Sequence, residues 1–285
     1  MPTYAITGAS GHLGRLAVEE FLTRGVPAGD LVAVVRTPSK AADLAGRGVQ
    51  VREGDYSRPE TLTTALAGVD RLLLVSSSEP GQRVAHHTNV IEAATAAGVS
   101  RVAYTSMLNA DSSTNPLIGE HQDTEQALRA AGVPFILLRP GWYIENYTEQ
   151  LGQYLQRGEI VGAAGSGKIS AATRQDYAAA AAASLLDGQD GNQTYELGGP
   201  AFDLAQLAQT ISEVTGTQVT YRDLPVEEYV ATLQHAGLDE ATAGFVAALD
   251  TSIAHGDLHT DRQDLAELLG RPATSLTDAV RAARG

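Results

Sequence analysis

Thr3-Tyr-Ala-Ile-Thr7 runs directly into Gly8-Ala9-Ser10-Gly11-His12-Leu13-Gly14, and this junction sets the architecture. The first run is short, continuous and apolar, as a strand buried on both faces should be. Beyond the glycines, Leu13, Leu16, Ala17, Phe21 and Leu22 recur at helical spacing, and Gly25 is placed to cap the helix end. Strand, glycine turn and helix together open a dinucleotide-binding unit. In such a turn one glycine permits the tight bend, one lets the backbone approach a pyrophosphate, and one lets the helix pack close to the strand. The helix N-terminus then offers free N–H groups and a partial positive charge to the phosphates. The spacing is G-x-x-G-x-x-G rather than G-x-G-x-x-G, so the motif alone is weak. Its position right after the first strand argues against a glycine turn without a ligand.

The same grammar continues downstream. Leu31–Val35, Val49–Arg52, Arg71–Val75, Arg101–Thr105 and Pro134–Leu138 are further strand-like runs. Helical patterns lie between them: Leu62, Ala65 and Leu66 behind Pro59, then Val84–Ala97, then Glu120–Ala131, each ended by a glycine. Strand and helix alternating in this way predict an α/β fold, a doubly wound, Rossmann-like parallel sheet. After about Gly141 the alternation weakens. Tyr177–Leu186 reads as an alanine-rich helix, Leu204–Val214 and Val226–Ala236 as amphipathic helices, and Val219–Tyr221 as a short strand. The expected division is a nucleotide-binding domain over 1–145 and a smaller α+β, substrate-binding lobe over 146–285, from which the chain can return to the sheet around 170–186.

Composition narrows the chemistry. The 285 residues are 43% hydrophobic and carry a net charge of −14. That is too apolar for disorder, and an acidic surface repels nucleic acid and anionic membrane. The absence of cysteine excludes disulfides, thiolate catalysis and cysteine-held metals. No apolar run reaches the roughly 18 residues of a membrane span, and no basic segment precedes the first strand, so a cytoplasmic location is expected. His255 and His259 lack the glutamate of H-E-x-x-H, and no metal site is expected.

The residue after the second strand selects the dinucleotide. An acid there suits the ribose hydroxyl of NAD, an arginine the 2′-phosphate of NADP. Here it is Arg36, with Lys40 about one turn further on. Two cations at this spot in a cation-poor chain point to NADP; an ordinary solvated arginine is the alternative. Asp55, after the third strand, reads equally as an adenine contact and as a turn residue.

The Tyr-x-x-x-Lys relay of short-chain dehydrogenases is absent. Lys40 would need a tyrosine where Arg36 stands, and Lys168 one where Ala164 stands. Ser106 ends the fifth strand where that family's catalytic Ser or Thr lies. Glu120 and His121 lie on the next helix, where the relay helix would pass.

Gly8–Gly14, Ser76-Ser-Ser-Glu-Pro-Gly-Gln-Arg83, Ala103-Tyr-Thr-Ser106, Arg139-Pro-Gly-Trp-Tyr-Ile-Glu-Asn-Tyr147, Gly162-Ala-Ala-Gly-Ser-Gly-Lys-Ile169 and Ala172-Thr-Arg-Gln-Asp-Tyr177 carry a more specific signal. Together they resemble the NmrA-like atypical short-chain dehydrogenases, and among these the bacterial type 2 NAD(P)H:quinone oxidoreductases. The resemblance covers essentially the whole chain. It implies NADPH held by Gly8, Ala9, Ser10, Gly11, His12, Leu13, Arg36, Ser76, Ser77, Ser78, Glu79, Gly141, Trp142, Tyr143, Ile144, Glu145 and Asn146, no flavin, and a quinone pocket between nicotinamide and small lobe. Trp142, Tyr143 and Tyr147 gather three aromatic rings where a flat quinone would lie, or where rings would wedge the lobe onto the sheet. The implied reaction is hydride transfer from NADPH to a quinone, giving a hydroquinone. A quinone is already electrophilic, so a hydrogen-bond donor can replace the missing relay. Tyr143, Asn146 and His121 are the candidates. A dinucleotide-binding sensor without turnover is the alternative, and the oligomeric state is left open.

Overall fold

The structure is a computed structural model that describes residues 2–188 and 191–284. The apolar runs become strands because residues such as those of Leu31–Val35 and Phe135–Pro140 are buried throughout, which only a sheet covered on both faces allows. The nucleotide-binding half comprises β1 (Tyr4–Thr7), α1 (His12–Thr23), β2 (Leu31–Val35), α2 (Ala42–Gly46), β3 (Gln50–Glu53), α3 (Pro59–Ala65), β4 (Arg71–Leu74), α4 (Arg83–Ala96), β5 (Arg101–Thr105), α5 (Ile118–Ala130) and β6 (Phe135–Pro140). There follow α6 (Glu145–Thr148), α7 (Leu151–Arg157), β7 (Glu159–Gly162), α8 (Arg174–Leu186), β8 (Gln193–Leu197), α9 (Leu204–Thr215), β9 (Thr220–Asp223), α10 (Val226–His235), α11 (Glu240–Ala254), α12 (Asp264–Leu269) and α13 (Leu276–Arg284).

Seven parallel strands form one sheet in the order β3-β2-β1-β4-β5-β6-β8. The strand order reverses between β1 and β4, which opens a crevice at the carboxyl ends of the strands. One apolar layer, from α1, α2, α8 and α12, covers one face. A second, from α3, α4 and α5, covers the other. Ala178, Ala180, Ala181 and Ala182 are buried in the first layer, where methyl side chains let α8 lie close to the sheet and to α1.

The division after residue 145 is not a clean break. The chain leaves the sheet at β6, returns through α8 to add β8 as the seventh strand, and returns again with α12, which packs on α8. The pattern Gln-Thr-Tyr-Glu-Leu of β8 is polar because this is an edge strand with a single partner, so it carries little of the buried-strand signal. Helix α11 is likewise unsignalled, since its Ala-Thr-Ala-Gly start shows weak periodicity. The remaining lobe is built on a two-stranded parallel sheet of β7 and β9, with α9 against α13 and α10 against α11. Among the described residues no helix is long and apolar enough to cross a membrane.

Candidate active site

A cleft of about 630 Å³ opens at the carboxyl ends of the strands and is lined by Gly8, Ser10–Gly14, Arg36, Ser76–Glu79, Ser106, His121 and Gly141–Tyr143, among others. Each glycine of the first loop has a separate task. Gly8 has φ +60°, a backbone conformation that side chains disfavour. A Cβ on Gly14 would lie 2.3 Å from the Gly8 carbonyl oxygen, so that glycine lets α1 close onto the turn. Gly11 has an ordinary φ of −86°, and a Cβ there would sit 3.3 Å from the same oxygen. The protein itself barely requires that glycine; an approaching ligand would. Helix α1 has no capping side chain and no acid in its first turn, whereas Thr173, Asp203 and Asp239 cap α8, α9 and α11. The open helix end is therefore free for an anion.

Arg36 stands at one end of the cleft, its Nη1 2.8 Å from Glu79 Oε1. Both side chains are solvated, so the pair is weak and a phosphate could replace the carboxylate. Asp55 lines the cleft and also accepts from the Ser57 N–H and hydroxyl, so it serves as a turn residue with one face toward the site. Lys40 does not line the cleft; it lies on the short turn Pro38–Ala41.

The serine segment is held from below by buried polar groups. The Ser76 N–H donates to Thr105 Oγ1 at 2.8 Å and the Ser77 N–H to His87 Nε2 at 2.9 Å. Arg83 Nε donates to the Ser77 carbonyl, and Arg83 Nη1 to Glu120. Because His87 Nε2 accepts, its proton is on Nδ1, facing Thr124 Oγ1 at 3.1 Å. Burial drives His87 down to about 3, and His121 likewise, its Nδ1 being 2.8 Å from the Tyr104 hydroxyl.

Both rings then bind protons less readily in the folded state than in the unfolded one. Stability is therefore present above the ordinary histidine range and lost as pH falls through about 6.5 toward about 3. Between about pH 7.5 and 5.5 each ring should cost about 1.4 kcal/mol. Urea unfolding should show that loss, offset in part by the Asp250 carboxyl, which burial raises to about 6, and His121→Gln should remove one ring's share.

At the other end, the Gly141–Asn146 segment is clamped to 170–172. The Ala172 N–H donates to the Trp142 carbonyl, the Ile144 N–H to the Ala172 carbonyl, and the Gly141 N–H to Leu197. A Cβ on Gly141 would lie 2.4 Å from the Ser170 oxygen, so only glycine lets the segments meet. The Arg174 guanidinium lies 5.2 Å from the Tyr143 ring centroid, and Tyr177 meets that ring edge-on.

Residues 8–188 match the family described as NAD(P)H-binding. The chain belongs to the NAD(P)H-binding family. It is 46% identical to Quinone oxidoreductase 2 of Escherichia coli strain K12, over 97% of this chain and 96% of that protein. It is also 32% identical to an NmrA-like family domain-containing oxidoreductase of Aspergillus flavus, over 98% of this chain and 94% of that one, which places it among the NmrA-like members. The crystal structure of the Escherichia coli NADPH-dependent quinone oxidoreductase QOR2 complexed with NADPH superposes with a TM-score of 0.95 at 45% identity, covering 99% of this chain and all of that one.

In this NAD(P)H-binding protein most of the expected site residues meet in one cleft: Gly8, Ser10, Gly11, His12, Leu13, Arg36, Ser76–Glu79, His121, Gly141, Trp142, Tyr143 and Asn146. Three expected residues do not line it. Ala9 is fully buried with its N–H given to Val34. Ile144 packs in the lobe core. Glu145 Oε1 accepts from the Arg174 N–H. Tyr147 stacks edge-on to Phe202 and wedges the lobe; Trp142 and Tyr143 face the cleft. Arg83, His86, Thr105 and Arg174 also line the cleft without having been singled out. For Arg83 and Arg174 the signal was the scarcity of cations, which makes each arginine in a motif segment informative; His86 and Thr105 carried none.

Proposed function

We propose that this protein is a flavin-free, NADPH-dependent quinone oxidoreductase that works without a Tyr-Lys relay. The observation that carries the reading is the likeness, over nearly the full length of both chains, to Quinone oxidoreductase 2. The cleft fits the cofactor. The uncapped start of α1 and the Gly8–Gly14 turn would hold the pyrophosphate, and Arg36 would exchange Glu79 for the 2′-phosphate. Bound NADPH supplies the hydride. Trp142 and Tyr143 wall the acceptor, and Tyr143, Asn146 and His121 are the donors available to the carbonyl oxygen as charge develops on it. The hydroquinone also needs a proton, which solvent supplies, since Asn146 is not an acid and Tyr143 and His121 keep their charge state near neutral pH.

Burial pushes Tyr143 up to about 12 and His121 down to about 3, so neither changes charge between about pH 5 and 9. Purified protein should consume NADPH when a benzoquinone is added without flavin, at a rate nearly flat in that range. Tyr143→Phe, Asn146→Ala and His121→Ala should each lower kcat/KM by at most roughly 10²-fold. Near-total loss in one folded, NADPH-binding variant would name an obligatory acid and end the no-relay mechanism. NADPH binding without turnover of any quinone would favour the sensor.

Arg36→Ala should weaken NADPH by roughly 10- to 100-fold and leave NADH almost unchanged, since only NADPH carries the phosphate. Equal weakening of both, measured by calorimetry, would make Arg36 structural.

A further inference from the structure

Ser106 follows β5 and lines the cleft at the opposite end from Arg36. Its hydroxyl donates to Glu125 Oε1 at 2.6 Å. That direction is forced by what lies behind. Arg139, 2% exposed, gives Nε to Glu125 Oε1 at 2.9 Å and Nη2 to Oε2 at 2.7 Å. Both oxygens of Glu125 thus face guanidinium N–H groups and can only accept. The single hydroxyl proton of Ser106 is therefore committed away from the cleft. Among the described residues none donates to Ser106 Oγ, so what it retains for a ligand is a lone pair.

We propose that Ser106 accepts a hydrogen bond from the carboxamide N–H₂ of the nicotinamide, with Glu125 and Arg139 as the positioning pair that fixes this polarity. The inference rests on the cofactor reading above. A quinone brings only carbonyl oxygens, which acceptor-only Ser106 cannot bind. With the pyrophosphate at Gly8–Gly14 and the 2′-phosphate at Arg36, the other half of a dinucleotide would cross β4 and β5 toward Ser106. The carboxamide carries the only N–H donors on the nicotinamide ring. A fixed acceptor for it would select which face of the ring meets the acceptor substrate.

The test is binding, measured by fluorescence or calorimetry without quinone. The probes are NADPH, its thionicotinamide analogue, which keeps the N–H₂, and its 3-acetylpyridine analogue, which has a methyl group instead. In the wild type the acetylpyridine analogue should bind about 5- to 10-fold more weakly than the other two, the loss of one neutral hydrogen bond. In Ser106→Ala the three should bind alike. Ser106→Thr, which keeps the hydroxyl, should restore the difference, and Glu125→Leu, which removes the acceptor and frees the Ser106 proton to turn toward the cleft, should reduce it. An undiminished difference in Ser106→Ala would overturn the carboxamide contact. A full difference in folded Glu125→Leu would overturn the positioning role. Failure of every probe to bind the wild type would remove the cofactor reading itself, and this inference with it.

Discussion

Gly11→Val is expected to fold and to lose NADPH, with affinity falling at least about 100-fold, roughly 2.7 kcal/mol. The φ of −86° at Gly11 suits any residue, and its Cβ position meets the Gly8 carbonyl oxygen at 3.3 Å, which a small adjustment relieves. A branched side chain would instead project where the pyrophosphate must approach the open end of α1. Gly14→Ala is the informative contrast. Its methyl would lie 2.3 Å from a backbone oxygen that no side-chain rotation can move, so α1 must shift from the turn. Overpacking of this kind costs about 1–3 kcal/mol of stability. Calorimetry with NADPH and urea unfolding separate the two: one variant loses ligand at near-normal stability, the other loses stability. Tight NADPH binding by Gly11→Val would show that the ligand does not use this loop.

Arg139→Leu should destabilise the fold by about 3–5 kcal/mol, a large share of the 5–15 kcal/mol that holds a typical protein together. The guanidinium meets Glu125, Asp111 and Glu196, and Glu125, on α5, is itself buried beside the carboxyl ends of β5 and β6. Removing the arginine leaves an uncompensated buried carboxylate. Replacing Glu125 by leucine as well should recover much of the loss, because the buried Arg139–Glu125 pair as a whole contributes little beyond a hydrophobic equivalent. A loss below about 1 kcal/mol for the single variant would mean that water reaches Glu125 and does the work assigned to Arg139.

The glycine turn was legible because Gly8, Gly11 and Gly14 answer to local backbone geometry within seven consecutive residues. The buried strands were legible because a strand covered on both faces must be apolar throughout. That Arg36 lies at the cleft was legible from its place just after the second strand. Strand β8 was not, since an edge strand tolerates Gln193, Thr194 and Glu196, and its membership in the sheet is a matter of pairing with β6 over a long detour. The adjacent pair His86 and His87 gave no hint of a role. One lines the cleft and the other receives the Ser77 N–H, a contact between residues ten positions apart.

From sequence alone came the alternation of strand and helix, the glycine turn, the arginine after the second strand, and the absence of a Tyr-x-x-x-Lys motif. All of these depend on residues near one another in the chain or on the identity of single residues. The tertiary structure was needed to bring Ser106, Glu125 and Arg139 together from β5, α5 and β6, and to show which way the Ser106 hydroxyl points. It also turned Ala9 and Ile144 into the core while leaving Trp142 at the cleft. Hydrogen-bond direction and side-chain facing are set by neighbours distant in the chain, and no local pattern encodes them.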